Sequence, residues 1–165
     1  MWRKSILREL MNIMEVKRKS IHSFKKASKN TKYPHWREVF NRLAEYETNR
    51  AELIEIVYDN LAQNNEWLSL QYLFDEGPKP IDVEQLFQEI QIDEIPPEHN
   101  TLDNAIKAGE EVLKLYEEII SECEKRLHNG ETPIKWLRDQ AKEYNLLLKT
   151  IRKGEHATFK TDYLG

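Results

Sequence analysis

The sequence predicts an all-α protein, an antiparallel four-helix bundle of two helical hairpins joined by a long crossover. Three observations carry this expectation. Apolar residues recur at the 3.6-residue helical period along four long segments. Short polar breaks near residues 30–34 and 129–132 separate the first segment from the second and the third from the fourth, so each pair folds back on itself. Between the pairs lies a connection of roughly residues 64–100, far longer than two adjacent antiparallel helices need.

The first segment runs from about Ser5 to Ser28, with a stripe of Ile6, Leu10, Ile13/Met14, Lys17, Ile21, Phe24 and Ser28. "NTKYP" breaks it, and Pro34 stands where a helix accepts proline, in its first turn. The second runs to about Gln63 on a stripe of Trp36, Phe40, Leu43, Glu47, Arg50, Ile54, Val57 and Leu61. The crossover contains "WLSLQYLFDEGPKP", a short helical piece "DVEQLFQEI" and a Pro-Pro step. Thr101 is the expected N-cap of the third segment, whose stripe is Leu102, Ala105/Ile106, Gly109, Val112/Leu113, Tyr116, Ile119/Ile120, Cys123 and Leu127. "HNG" ends it. Thr132 and Pro133 read as a cap and first-turn pair for the fourth, which continues through Ile134, Leu137, Ala141, Tyr144, Leu147/Leu148 and Ile151 until Gly154 closes it.

The 165 residues suffice for one domain spanning 1–165, with 155–165 as a C-terminal tail. A single cysteine, Cys123, excludes an internal disulfide framework and a CxxC metal knuckle, and its helical spacing makes it a core residue. No run approaches the length of a membrane span, and "MWRKSILREL" lacks the apolar stretch of a signal peptide, so a cytoplasmic protein is expected.

The net charge of -4 is unevenly spread: residues 1–50 hold 13 Lys and Arg against five Asp and Glu. "KRKSIHSFKKASKNTK" carries seven basic residues and no acidic one. Such a run suits an anionic partner or a solvated helix face beside an acidic helix of its own chain. The second is expected here, because "AGEEVLKLYEEIISECEK" supplies the acidic helix and no aromatic platform for bases interleaves the run. Nucleic acid is therefore not the expected partner.

Glu47 and Arg50 stand on the second stripe where the helical period asks for apolar residues, and Lys17 does the same on the first. Residues 17 and 47 are equidistant from residue 32, inside the turn, so they face each other across the hairpin. One reading is a buried cluster in which Lys17 and Arg50 neutralise Glu47 and Tyr144 donates it a hydrogen bond. The other has Lys17 and Arg50 snorkelling to the surface while Glu47 meets water in a small cavity.

"SFKKASKNTKYPHWREVFNRLAEYETNRAEL" resembles the rubrerythrin-like branch of the ferritin-like family, whose members read an aromatic, a charged pair, a small residue, a turn with proline, then Phe, "LAEEE" and Glu-x-x-His. The likeness is specific over residues 23–54 and architectural over the rest, where "TLDNAIKAGEE" and "DQAKEY" fit more loosely. It implies a ferritin-like fold and a two-metal centre, with a Glu from each of two helices and a Glu-x-x-His from each of the other two. Only Glu47 matches that ligand set. Arg50 holds the His position, and Lys17 holds the position of the first helix's Glu. In the second hairpin, laying "DQAKEY" on the motif sets Ala141 and Tyr144 at the ligand positions with Gly109 opposite, whereas counting from the loop sets Leu113 and Tyr144 there. Neither register supplies a carboxylate or imidazole. Glu110, Glu111 and Glu143 fall off the stripes, and the five histidines, His22, His35, His99, His128 and His156, are scattered. A residual single-metal site on Glu47 stays open.

The expected function is thus a non-enzymatic, metal-free helical module with no cofactor, acting through its surface as a homodimer or with a protein partner. Trp67, Tyr72, Phe74, Phe159, Tyr163 and Leu164 are candidates for that surface, or equally for capping the protein's own core. An altered rubrerythrin-like oxidoreductase and an anion or nucleic-acid binder using the first helix are the alternatives. No nucleophile–base pair or phosphate loop is present in the sequence.

Overall fold

The protein is described by a computed structural model over residues 2–79, 82, 99–125 and 131–153. These residues form five helices: α1 (Trp2–Asn30), α2 (Pro34–Asn64), α3 (Leu70–Glu76), α4 (His99–Lys125) and α5 (Glu131–Lys153), with no strand among the described residues. The expected all-helical class is observed.

The helix ends follow local chemistry. Pro34 opens α2, where its fixed φ suits the first turn and its missing N–H would have had no intrahelical partner. The turn before it is tied by side-chain hydrogen bonds centred on the buried Ser28 and Thr31. Ser28 Oγ lies 2.6 Å from Asn41 Oδ1, Thr31 Oγ1 accepts from the Tyr33 N–H, and Arg37 donates to the Thr31 carbonyl. At its other end α2 closes on Asn65 in the left-handed region (φ 57°), whose N–H donates to the Leu61 carbonyl. Ser69 caps α3 by accepting from the Tyr72 N–H.

Several expected boundaries move. α1 runs past both ends of Ser5–Ser28, since no breaker stands before the Asn30–Thr31 turn. α4 and α5 begin at His99 and Glu131, so Thr101 and Thr132 lie inside first turns and are not caps. Pro133 still falls in a first turn, where its missing N–H costs nothing. Leu127, Gly154, the tail 155–165 and, apart from Asp82, the piece "DVEQLFQEI" lie outside the described residues.

α1 packs on α2, α4 on α5 and α1 on α4, while the stacked rings of Tyr46 and Tyr144 join α2 to α5. Pair positions give the directions. Lys17–Glu47 and Ser28–Asn41 make α1 and α2 antiparallel. Arg138–Glu117 and Arg152–Asp103 do the same for α4 and α5. Glu9 meets Glu118 while Phe24 shares a cavity with Ala105, so α1 and α4 are also antiparallel. It follows that α2 and α4 run in the same direction. Two parallel helices cannot be joined by a tight turn, which is the physical reason for the long connection.

The apolar core is split in two. One cluster gathers Ile6, Leu10, Ile13, Leu61, Tyr116 and Ile134 with their neighbours, and the other gathers Phe24, Trp36, Phe40, Leu43, Leu102 and Leu148 with theirs. Trp67 and Tyr72 pack against the first cluster from the crossover, whereas Phe74 is half exposed with its ring edge-on to Trp136. Between the clusters, at the level of Lys17, Glu47 and Arg50, the core is ionic.

Candidate functional site

Lys17 stands four residues after Ile13 and seven after Leu10, on the face that α1 buries, so the helix delivers its ammonium to the interior. Glu47 and Arg50 follow Leu43 at the same helical spacing on α2. All three side chains are buried, with residue exposures of 3%, 4% and 5% respectively. Lys17 Nζ donates to Glu47 Oε1 at 3.2 Å and lies 3.5 Å from Oε2. Neither cation reaches the surface, which overturns the snorkelling alternative.

Arg50 is held differently. Its guanidinium carbon lies 5.4 Å from the centroid of Tyr46 and 5.3 Å from that of Tyr144, and the two rings stack with centroids 5.1 Å apart. A desolvated cation over two aromatic faces gains on the order of 2 kcal/mol. This stacking also corrects the role expected of Tyr144. Its buried hydroxyl makes no hydrogen bond and so donates none to Glu47, because the ring is oriented by Tyr46 and Arg50.

Burial governs the electrostatics of the layer. It lowers the Lys17 pKa to about 8, opposed by the Glu47 carboxylate and reinforced by repulsion from Arg50. It pushes the Tyr144 hydroxyl well above the usual tyrosine range, with Glu47 adding to the effect. Tyr46 and Tyr116 shift upward for the same first cause.

A cavity of about 20 Å³ beside the ion pair is lined by Lys17, Glu47, Gly109, Ala141 and Tyr144 among others. It decides the register of the second hairpin: Gly109, Ala141 and Tyr144 stand at the level of the ion pair, while Leu113 faces a surface groove between α1 and α4. Gly109 lets α4 approach α5 closely, since a Cβ there would lie 2.5 Å from the buried Asn145 Oδ1. Glu110, Glu111 and Glu143 are exposed. Among the described residues, no group of three or more His, Cys, Asp or Glu side chains is placed to hold a metal ion. Cys123 is a buried thiol in the larger apolar cluster.

Tyr46 and Tyr116 were not legible as site residues. Tyr46 precedes Arg50 by one turn on the same helix, the one signal that could have marked it. Tyr116 reads as an ordinary core aromatic on its stripe.

Outside the core, charge is segregated along the helices. Toward the C-terminus of α1, residues 18–46, 99–108 and 145–153 hold 12 Lys and Arg and three Asp and Glu. Toward the other end, residues 2–16, 51–79, 110–125 and 131–143 hold nine and 17. Arg18, Lys19, Lys25, Lys26, Lys29 and Lys32 are exposed. Among the described residues none of the six is ion-paired to α4, whose Glu117 and Glu124 pair instead with Arg138 and Lys135 of α5. The expectation that the basic run lies against the acidic helix fails because the antiparallel packing of α1 on α4 sets the acidic part of α4 beside the opposite half of α1.

No protein-family model, curated protein sequence or solved structure matches the chain. No helix among the described residues is long and apolar enough to cross a membrane.

The Lys17 amine yields a pH signature. Its folded pKa lies below its unfolded value near 10.5, so the unfolded chain binds the extra proton between them and stability rises with pH in that window. The raised tyrosine pKa values act oppositely above about pH 10. Urea midpoints of the wild type should therefore increase from pH 8 to pH 10, and Lys17→Met should lose that increase. An unchanged slope in Lys17→Met would place the titrating group elsewhere.

Proposed function

We propose that the chain is a ferritin-like four-helix bundle of the rubrerythrin-like kind, in which an ionic layer occupies the level where such bundles hold two metal ions. We propose further that it works as a binding or structural module and not as an enzyme, alone or as a homodimer. The observation that carries this reading is the Lys17 ammonium 3.2 Å from Glu47 Oε1. A divalent ion bridged by Glu47 would meet two fixed positive charges, Lys17 and Arg50. Gly109, Ala141 and Tyr144 complete the level without an anionic ligand. The residues present do not fit a two-metal centre, so no redox step is derived through one. The direction of the helices supports the ferritin-like topology, because α2 and α4 run parallel across the long connection. Half-exposed Phe74 and exposed Leu146 are apolar candidates for partner contact.

A second reading has one observation in its favour. The basic run from Arg18 to Lys32 is solvated and makes no ion pair to α4 among the described residues, which suits a polyanion. The absence of an aromatic platform among the basic residues of α1 places it second.

Protein expressed in iron-rich medium and purified in air should carry far less than one equivalent of iron, manganese or zinc per chain by elemental analysis. Two equivalents would sink the metal-free reading. The binding-module reading also expects no micromolar affinity for duplex DNA at physiological salt. Fluorescence anisotropy showing such affinity, with a steep dependence on salt concentration, would establish the second reading in its place.

A further inference from the structure

The charges in the ionic layer do not balance. Lys17 and Glu47 neutralise each other, but Arg50 has no carboxylate partner among the described residues. A guanidinium does not deprotonate in a protein, so the interior retains one positive charge whenever Lys17 is protonated. Tyrosine faces offset part of the cost of burying it but bring no negative charge.

The hydrogen bonds of this region are also incomplete. Arg50 Nη1 and the Tyr116 hydroxyl are buried and have no hydrogen-bond partner. Both residues line one cavity of about 10 Å³ between α2, α4 and α5, bordered by Trp136, Gln140 and Pro78. The remaining walls are apolar, formed by Leu53, Ile54 and Leu137. A space of this size holds one particle of roughly the dimensions of a water molecule. Nucleotides, oxyanions such as sulfate, and carboxylic acids are too large.

Two kinds of occupant have that size. A water molecule would accept from Arg50 and Tyr116 and leave the charge uncompensated. An anion accepts from both donors and also cancels the charge, and in a low-dielectric interior charge-assisted hydrogen bonds are the stronger ones.

We propose that this cavity is a binding site for one small monovalent anion of halide size, held by Arg50 Nη1 and the Tyr116 hydroxyl. The anion completes an ionic layer of two cations and two anions. The site lies inside the protein and is independent of whichever surface the protein uses for partners.

The test measures thermal midpoints of the full chain at pH 7 in sodium chloride and in sodium gluconate, an anion too large for the cavity, at equal ionic strength. Chloride should raise the wild-type midpoint, with a rise that continues as the logarithm of concentration above the dissociation constant, and gluconate should not. Tyr116→Phe keeps the ring and removes one donor, so it should weaken the apparent chloride affinity about tenfold or more. Arg50→Met should abolish the chloride dependence. If Arg50→Met does not fold, ³⁵Cl line broadening on the wild type and on Tyr116→Phe decides the matter, with broadening expected in the first and reduced in the second. Equal midpoints in the two salts with a chloride line no broader than in protein-free buffer mean that the cavity holds water alone, which overturns the proposal. A chloride effect of the same size in wild type and Tyr116→Phe also overturns it.

Discussion

The contact between Lys17 and Glu47 sets the conditions under which the rest of this protein folds. Each group alone would be an uncompensated charge in the interior, and the cost of such a charge is comparable with the whole stability of a domain of this size. The pair is tolerated only when α1 and α2 are in register, because the ammonium reaches both carboxylate oxygens from the opposite helix. Apolar stripes slide past one another at modest cost, whereas an ion pair does not. The layer thus fixes the first hairpin more sharply than the leucines and isoleucines on either side of it. Arg50 carries the constraint to the second hairpin, since its guanidinium lies against both Tyr46 of α2 and Tyr144 of α5. The division of the core into two apolar clusters is the packing consequence of this layer.

The helices were legible because their stripes are long and strongly periodic. All eight residues of the Trp36–Leu61 stripe are buried, Glu47 and Arg50 included. The meeting of Lys17 and Glu47 was legible from symmetry about the turn. What could not be read has identifiable physical causes. The helices from His99 and Glu131 extend upstream of Thr101 and Thr132, because residues of capping type also occur inside first turns. The register of the second hairpin depends on Gly109 meeting Asn145, a close approach that periodicity does not encode. The partner of Arg50 was misjudged for a similar reason. Sequence logic pairs a cation with a carboxylate or a hydroxyl, while the fold gives it two aromatic faces. The basic run was assigned to the acidic helix of its own chain, but the direction of α1 against α4 decides which charges meet, and that direction is a tertiary property.

An interior charge layer and a segregated exterior bear on function together. Carboxylates and imidazoles at this level would have suited a metal centre, whereas one carboxylate with an ammonium, a guanidinium and phenols leaves a net positive layer beside cavities of about 20 and 10 Å³. Neither admits an organic substrate. On the surface, Lys and Arg predominate in one half of the described helices and Asp and Glu in the other. On the proposed reading, such a surface would orient a partner or second copy by charge before any apolar contact forms.

The account rests on the layer being buried and mutually dependent, and its energetics differ in sign between partial and complete removal. A denaturant series comparing Glu47→Ala with the combined Lys17→Met, Glu47→Met and Arg50→Met variant tests this directly. Loss of the carboxylate alone leaves two buried cations and should cost roughly 3–5 kcal/mol, while the fully apolar layer should be close to neutral or more stable than the wild type. A Glu47→Ala cost below about 1 kcal/mol, the range of a solvated pair, would contradict the account.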